Sequence, residues 1–286
     1  MATRKLLKHA SDTVSTGKLV TFNIPAFDTI CQMGLTFTNS GAPATLANII
    51  SSVSKITVLI NGEQTVNISA DHLNKVWQSL GTQVGSATLV NSLPLMLGHL
   101  LYKLPEAEDT IGDIGCERYS QNQAVTNIQI QVQFGTVTGI TDVQSYTERV
   151  NKGSGRNITS AIVKLLSYYQ GFATTGTSEV DTLPRDSNMG RLFTMACPDA
   201  SGVISTGEAL VNNDPVIQEA DMATDNLLLL QRGFAQPSGC FVYSFTDGGI
   251  ADLLSMQGVT DMRFKTSFST ANAAGYTLVD CTVRSV

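Results

Sequence analysis

The sequence predicts an all-β chain with a few short helices: two tandem eight-stranded antiparallel jelly rolls joined by a helical connector. Three observations predict it. Short runs alternate apolar and polar residues, most clearly in Val125–Phe134, where Ile128, Ile130, Val132 and Phe134 point one way and Gln129, Gln131 and Gln133 the other. Turn residues punctuate those runs, above all Asn61-Gly62 between two apolar segments, where both turn positions need φ > 0. The third observation is that the pattern is stated twice.

The repetition is ordered. Thr16-Gly17 is answered by Thr175-Gly176, Ile24-Pro25 by Leu183-Pro184, Met33-Gly34 by Met189-Gly190 and Phe37 by Phe193. Leu59–Gly81 and Leu210–Gly233 both run strand, Asn-based turn followed by an acid, strand, Ala-Asp, then a helix ending at Gly. Val125–Ile130 matches Val259–Phe264, and Phe134 matches Phe268. The spacing between matched segments falls along the chain. The second copy is therefore the shorter, chiefly where the first carries the polar loop Pro105–Asn122.

In chain order, residues 1–15 read as an N-terminal arm carrying Arg4, Lys5 and Lys8. The first jelly roll spans 16–150. Its strands begin with Lys18–Ile24, closed by Pro25, and Ile30–Thr38. Ala44–Val53 reads as a short helix and Lys55–Asn67 as a hairpin. Ser69 then caps a helix whose Leu73, Val76, Trp77 and Leu80 share one face, with Gly81 placed to end it. Ala87–Tyr102 is apolar but interrupted by Pro94, which suits a bent or edge strand. The connector spans 151–174, with a helix over Asn157–Gln170 whose Ile158, Ala161, Ile162, Leu165, Leu166 and Tyr169 fall on one side. The second jelly roll spans 175–286 and opens on the bend Leu183-Pro184-Arg185.

Composition narrows the function. The chain has 286 residues, 42% apolar but only 15% charged, and a net charge of −6. Few charges suit surfaces covered by neighbours, and the acidic balance leaves no basic footprint for nucleic acid. The five cysteines, Cys31, Cys116, Cys197, Cys240 and Cys281, are scattered and odd in number, which suits buried free thiols made in a reducing cell rather than disulfides or zinc ligands. Neither a signal peptide nor a membrane-spanning helix is expected. His9, His72 and His99 cannot furnish a clustered metal set, His72 reading as a helix-start residue and His99 as a half-buried one. Gly153-Ser154-Gly155-Arg156 lacks the lysine of a phosphate loop, and no nucleophile elbow occurs.

At the middle of the chain the letters resemble a known family. Tyr168-Tyr169-Gln170-Gly171 and Thr174–Arg185 look like the segment between the two barrels of the double jelly-roll major capsid proteins of tailless, membrane-containing icosahedral phages, the corticoviruses in particular. Val58–Gly62 is similar to their first-barrel hairpin. The resemblance implies a homotrimer of pseudo-sixfold outline that tiles an icosahedral shell over an internal membrane. It implies partners as well: further copies of the chain, minor capsid and vertex proteins, and the viral membrane. Arg4, Lys5 and Lys8 would face that membrane or a neighbouring subunit, and Ile158, Ile162, Leu165, Leu166, Tyr169, Leu183, Pro184 and Arg185 would form the inter-barrel connector. The protein would reside in the virion after synthesis in the host cytoplasm. Some family members bind calcium, but Glu106, Glu108, Asp109 and Asp113 lack the spacing of a dedicated loop, so no cofactor is expected.

The expected function is therefore a non-enzymatic major capsid protein. Two rivals are a carbohydrate- or receptor-binding β-sandwich, such as a viral spike or lectin, and a two-barrelled metalloenzyme. The first needs exposed aromatics in a loop cluster; here aromatics are 7% and lie mostly in strand or helix faces. The second needs clustered histidine and glutamate ligands.

Overall fold

The computed structural model describes residues 4–80, 91–95, 114–116, 125–150, 161–199, 201–231, 234–246 and 253–285. It divides into unit 1, residues 1–74, 86–165 and 285–286, and unit 2, residues 75–85 and 166–284.

Unit 1 begins with β1 (Arg4–Thr13), β2 (Leu19–Ile24), β3 (Thr29–Asn39) and β4 (Ala42–Pro43). Helix α1 (Leu46–Ser52), β5 (Val53–Ile60), β6 (Glu63–Ile68) and helix α2 (Ala70–Ser79) follow, α2 passing into unit 2 from Lys75. After them come β7 (Ser92–Pro94), β8 (Ile114–Gly115), β9 (Ile128–Phe134), β10 (Asp142–Val150) and β11 (Ala161–Gln170), β11 passing into unit 2 from Leu166. One sheet runs β1-β10-β3, with β4, β7 and β8 also on β3; its partner sheet runs β2-β9-β5-β6. That is the four-on-four strand order of a jelly roll, and every pairing with a printed register is antiparallel. The alternation in sequence becomes an alternation in burial: Val20, Phe22 and Ile24 of β2 face inward, as do Ile128, Ile130, Val132 and Phe134 of β9.

Unit 2 repeats the order. It contains β12 (Gly176–Val180), β13 (Met189–Pro198), β14 (Val203–Val211), β15 (Asp214–Asp221), helix α3 (Met222–Gln231), β16 (Phe241–Ser244), β17 (Leu254–Ser255), β18 (Met262–Thr270) and β19 (Tyr276–Ser285). β19 pairs with β13, which also carries β16 and β17, and the partner sheet runs β12-β18-β14-β15. Its core is aromatic. Tyr243 stacks 4.8 Å from Phe241 and 5.2 Å from Phe264, and Phe268 lies 5.0 Å from Tyr276.

Two expectations need correction. The helix expected over 157–170 is a strand where the structure describes it, β11, which lies beside β19 as β1 lies beside β10. Its residues, AIVKLLSYYQ, carry apolar side chains at spacings that fit a helix. They are also β-branched and aromatic, and the open side of β19 gives the backbone a ladder to complete. The expected arm is likewise a strand, β1, registered on β10 from Arg4 opposite Val150 to Thr13 opposite Asp142. Each jelly roll thus starts with the strand that sequence reading had assigned elsewhere.

The expected hairpin and the two helices expected in the first roll are found. Thr45 caps α1 by accepting from Asn48 N, and Ser69 caps α2 by accepting from His72 N at 3.1 Å. In the second copy Asp221 takes the capping place, accepting from Ala223 N and Thr224 N at 2.9 Å each. The face of α2 is buried as expected, with Leu73, Val76, Trp77 and Leu80 each no more than 4% exposed. The expected helix stop at Gly81, the outer parts of Ala87–Tyr102 and most of Pro105–Asn122 lie outside the described residues.

The duplication reaches single atoms. Asn61 and Gly62 turn β5 into β6 at φ 49° and 83°; Asn212 and Asn213 turn β14 into β15 at φ 51° and 69°. Asn61 Oδ1 accepts from Thr126 N at 2.9 Å, Asn127 N at 3.2 Å and Thr126 Oγ1 at 3.3 Å. Asn212 Oδ1 does the same with Thr260 N at 2.9 Å, Asp261 N at 3.1 Å and Thr260 Oγ1 at 3.0 Å. In each roll one asparagine fixes both a tight turn and the entry of the neighbouring strand. Asn61→Ala and Asn212→Ala should therefore each cost about 1–2 kcal/mol, from lost hydrogen bonds and a positive φ that alanine resists. Denaturant unfolding of the two variants should show similar losses, and a loss in only one would break the structural equivalence.

Candidate assembly surface

The proline bends are positioned by buried arginines. In unit 1, Arg149 of β10 is 1% exposed. Its Nη2 donates to Pro25 O at 2.7 Å, Nη1 donates to Phe27 O, and Nε donates to Thr147 Oγ1 at 2.9 Å. The guanidinium also lies 4.1 Å from the centre of the Phe27 ring. Burial lowers its pKa from the usual arginine value. In unit 2, Arg191 of β13 is fully buried, and its Nη2 donates to Pro184 O at 2.9 Å. Its charge is matched by Asp280 of β19, with Nε to Oδ1 at 2.7 Å and Nη2 to Oδ2 at 3.0 Å. Thr194 Oγ1 completes the carboxylate at 2.9 Å. The two rolls thus hold the same bend by arginines on different strands.

Of the expected connector residues, Ile162, Leu165 and Leu183 are buried and Leu166 is half-buried. Tyr169 is 67% exposed and donates its hydroxyl proton to Ala274 O at 2.7 Å. Pro184 and Arg185 are exposed, with Arg185 Nη1 donating to Thr260 O at 3.0 Å. Ile158 lies outside the described residues. These side chains belong to a strand and a bend, so they do not gather into one helical face. Of the expected arm residues, Lys5 and Lys8 are exposed along β1, and Arg4 starts that strand. Sequence reasoning did not single out Arg149, Arg191 or Asp280. The proline bends they hold were the available signal.

The outer faces of the equivalent sheets differ in chemistry. On unit 1 the face is amide-rich, with Gln129 Nε2 donating to Asn23 Oδ1 at 3.1 Å. On unit 2 it carries ion pairs, Lys265 with Glu208 at 2.8 Å and Arg263 with Asp261 at 2.6 Å. These pairs are solvent-exposed enough to contribute little to stability and more to recognition. Beside them, α3 exposes Leu227 at 58%, Leu228 at 44% and Leu230 at 52%, and the adjoining β15 exposes Val216 at 45%. β15 and α3 border a hollow of about 670 Å³ floored by Ser244 and Phe245.

Among the described residues, no three His, Cys, Asp or Glu side chains converge on a point that could hold a metal ion. His9 Nε2 lies 3.1 Å from Thr147 Oγ1, and burial, reinforced by the Arg149 charge, lowers its pKa. His72 sits in the first turn of α2, while His99 and the acids Glu106, Glu108, Asp109 and Asp113 lie outside the described residues. All five cysteines are buried thiols, and desolvation pushes the Cys116 thiol up to about 11, which keeps it protonated and unreactive. No helix among the described residues is long and apolar enough to cross a membrane. What the arrangement offers is strand edges, an apolar helix face and polar sheet faces, which can bind surfaces.

Comparison with known proteins fits this picture. Residues 162–282 match the family model described as viral coat protein P2 C-terminal domain, which begins inside β11. No curated protein sequence matches the chain. Among solved structures, the major capsid protein P2 of bacteriophage PM2 superposes with a TM-score of 0.78 at 13% identity, covering 99% of this chain and 98% of that one. A chain of the atomic structure of Sulfolobus Turreted Icosahedral Virus gives 0.65 at 10% identity over 98% and 90% of the two chains. The PBCV-1 virus capsid gives 0.62 at 7% identity over 99% and 93%. At such identities the likeness establishes the fold, and that fold is the tandem double jelly roll.

Proposed function

We propose that this chain is a major capsid protein, a non-enzymatic subunit that self-assembles as a homotrimer into the shell of an icosahedral virion. The observation that carries the reading is the near end-to-end match with the capsid protein of bacteriophage PM2, which leaves almost no part of either chain unaccounted for. Few charged residues, amide-rich and ion-paired outer faces and an exposed apolar helix agree with a molecule whose surfaces are meant to be covered. Contacts with minor capsid and vertex proteins and with an internal membrane belong to the same proposal, as does a role that needs no cofactor. The spike or lectin alternative has no comparable support.

Light scattering on the chromatographed protein tests the reading. A species three times the 30.5 kDa chain mass is expected at micromolar concentration. A strict monomer across a range of salt concentrations would contradict it.

A further inference from the structure

The main strands of the two rolls correspond, yet among the described residues one contact found in the first has no counterpart in the second. In unit 1 the outer edge of β6 is occupied by the first half of β11. Lys164 of β11 donates to Glu63 Oε1 of β6, and Leu165 beside it is 1% exposed. The strand equivalent to β6 is β15, which follows the same Asn-based turn. β15 ends its sheet with no further strand beside it among the described residues, and six of its eight residues are exposed, on both faces. The strand equivalent to β11 is β1, which also ends its sheet. An open strand edge is a template for another strand, and folded proteins rarely leave one uncovered.

The letters match at the same point. Lys5-Leu6-Leu7 of β1 and Lys164-Leu165-Leu166 of β11 lie 159 residues apart, the spacing that also relates Thr16-Gly17 to Thr175-Gly176 and Ile24-Pro25 to Leu183-Pro184. Leu165 is buried, whereas its equivalent Leu6 is 63% exposed. Glu63 directly follows the first turn, and Asp214, its equivalent after the second turn, is exposed. Lys5, the equivalent of Lys164, is exposed as well. The helices tell the same story. The apolar face of α2 is covered, while Leu227, Leu228 and Leu230 of the equivalent α3 are not.

We infer that β1 of one copy of this chain pairs along the open edge of β15 of the next copy, reproducing between subunits the β11-on-β6 pairing found within one. Lys5 then meets Asp214, Leu6 becomes buried, and the leucines of α3 lie at the edge of the same contact. The contact joins two different patches and is therefore head-to-tail, the kind that closes into a ring when its rotation allows. The inference rests on the capsid reading for the trimer it builds, and it adds which strands and residues make the contact.

The experiment is subunit mass against concentration, by native mass spectrometry and light scattering, on the full chain. Leu6→Asp should raise the concentration at which trimers half-dissociate by roughly a hundredfold, since a buried leucine is replaced by a charge. The control Leu19→Asp, at an exposed leucine of β2, should leave it unchanged. Lys5→Glu and Asp214→Lys should each raise it roughly tenfold, and combining them should restore it to within a few-fold. The charge reversals change exposed side chains, so they test the contact even if Leu6→Asp perturbs folding. Trimers that withstand both reversals, or reversals that the double variant fails to rescue, would overturn the inference and leave the capsid reading standing. A wild-type protein that never trimerises would overturn the reading itself.

Discussion

Asp280→Ala should cost the second jelly roll about 3–5 kcal/mol, the usual penalty for leaving a buried charge without its partner. Arg191 is fully buried, and Asp280 turns both carboxylate oxygens to its guanidinium. Without the carboxylate, Nη2 keeps only Pro184 O as an oxygen partner, and the cation stays in an aromatic and thioether environment beside Phe264 and Met262. Replacing both partners, Arg191→Met with Asp280→Leu, should recover most of the loss, because the desolvation penalty goes with the charges. The single tryptophan, Trp77, belongs to the same unit and is 4% exposed, so its fluorescence reports this unfolding directly. A double variant as unstable as Asp280→Ala would mean that the pair specifies the bend through its hydrogen bond to Pro184 rather than through charge balance.

Gly34→Ala should cost about 3 kcal/mol, at the upper end for forcing an atom into a packed site. Gly34 of β3 faces Tyr146 across the β3–β10 ladder and Pro94 across the ladder to β7. A Cβ there would stand 2.4 Å from Tyr146 Oη and 2.8 Å from the carbonyl oxygen of Leu93. The tyrosine is held by a 3.1 Å bond from Ser92 Oγ, and the carbonyl is backbone, so neither yields freely. A Cβ on its repeat partner Gly190 would have the Leu253 side chain as its nearest neighbour, with the far end, Cδ1, closest at 2.8 Å and able to rotate away, and Gly190→Ala should cost less than half as much. Gly135→Ala, with its nearest neighbour at 3.8 Å, serves as the neutral control. Hydrogen exchange should localise the damage to the amides that tie β7 to β3, those of Leu95 and Phe37. Protection retained there would show that the ladder accommodates the methyl group.

Much of this architecture is written in local signals. Asn61-Gly62 and Asn212-Asn213 mark their hairpins because few residues accept positive φ, and Ser69 marks a helix start because its hydroxyl reaches the third amide. Strand β9 is legible because one face is in the core and the other in solvent, so glutamine alternates with isoleucine and valine. The first strand of each roll was not legible, for a shared reason. In RKLLKHASDT and AIVKLLSYYQ the apolar spacing fits more than one conformation, and the partner that decides, β10 or β19, lies more than a hundred residues further on. The repeated Lys-Leu-Leu is the available clue, and it precedes the first Thr-Gly of each copy.

The arginines were hidden for a different cause. Arg149 and Arg191 look in sequence like any surface cation on a strand, and only the fold shows that each is turned inward to a proline carbonyl. The repeated Ile24-Pro25 and Leu183-Pro184 bends were visible, but the side chains that hold them come from β10 in one roll and β13 in the other. No fixed spacing could have linked them.

Assembly is the decisive property, and electron cryo-microscopy of the particle shell reads it out. Hexagonally outlined capsomers are expected, each built from three copies of this chain and six jelly rolls, with a strand of one copy continuing a sheet of the next. A shell built without this chain, or capsomers containing any number of copies other than three, would contradict the capsid reading.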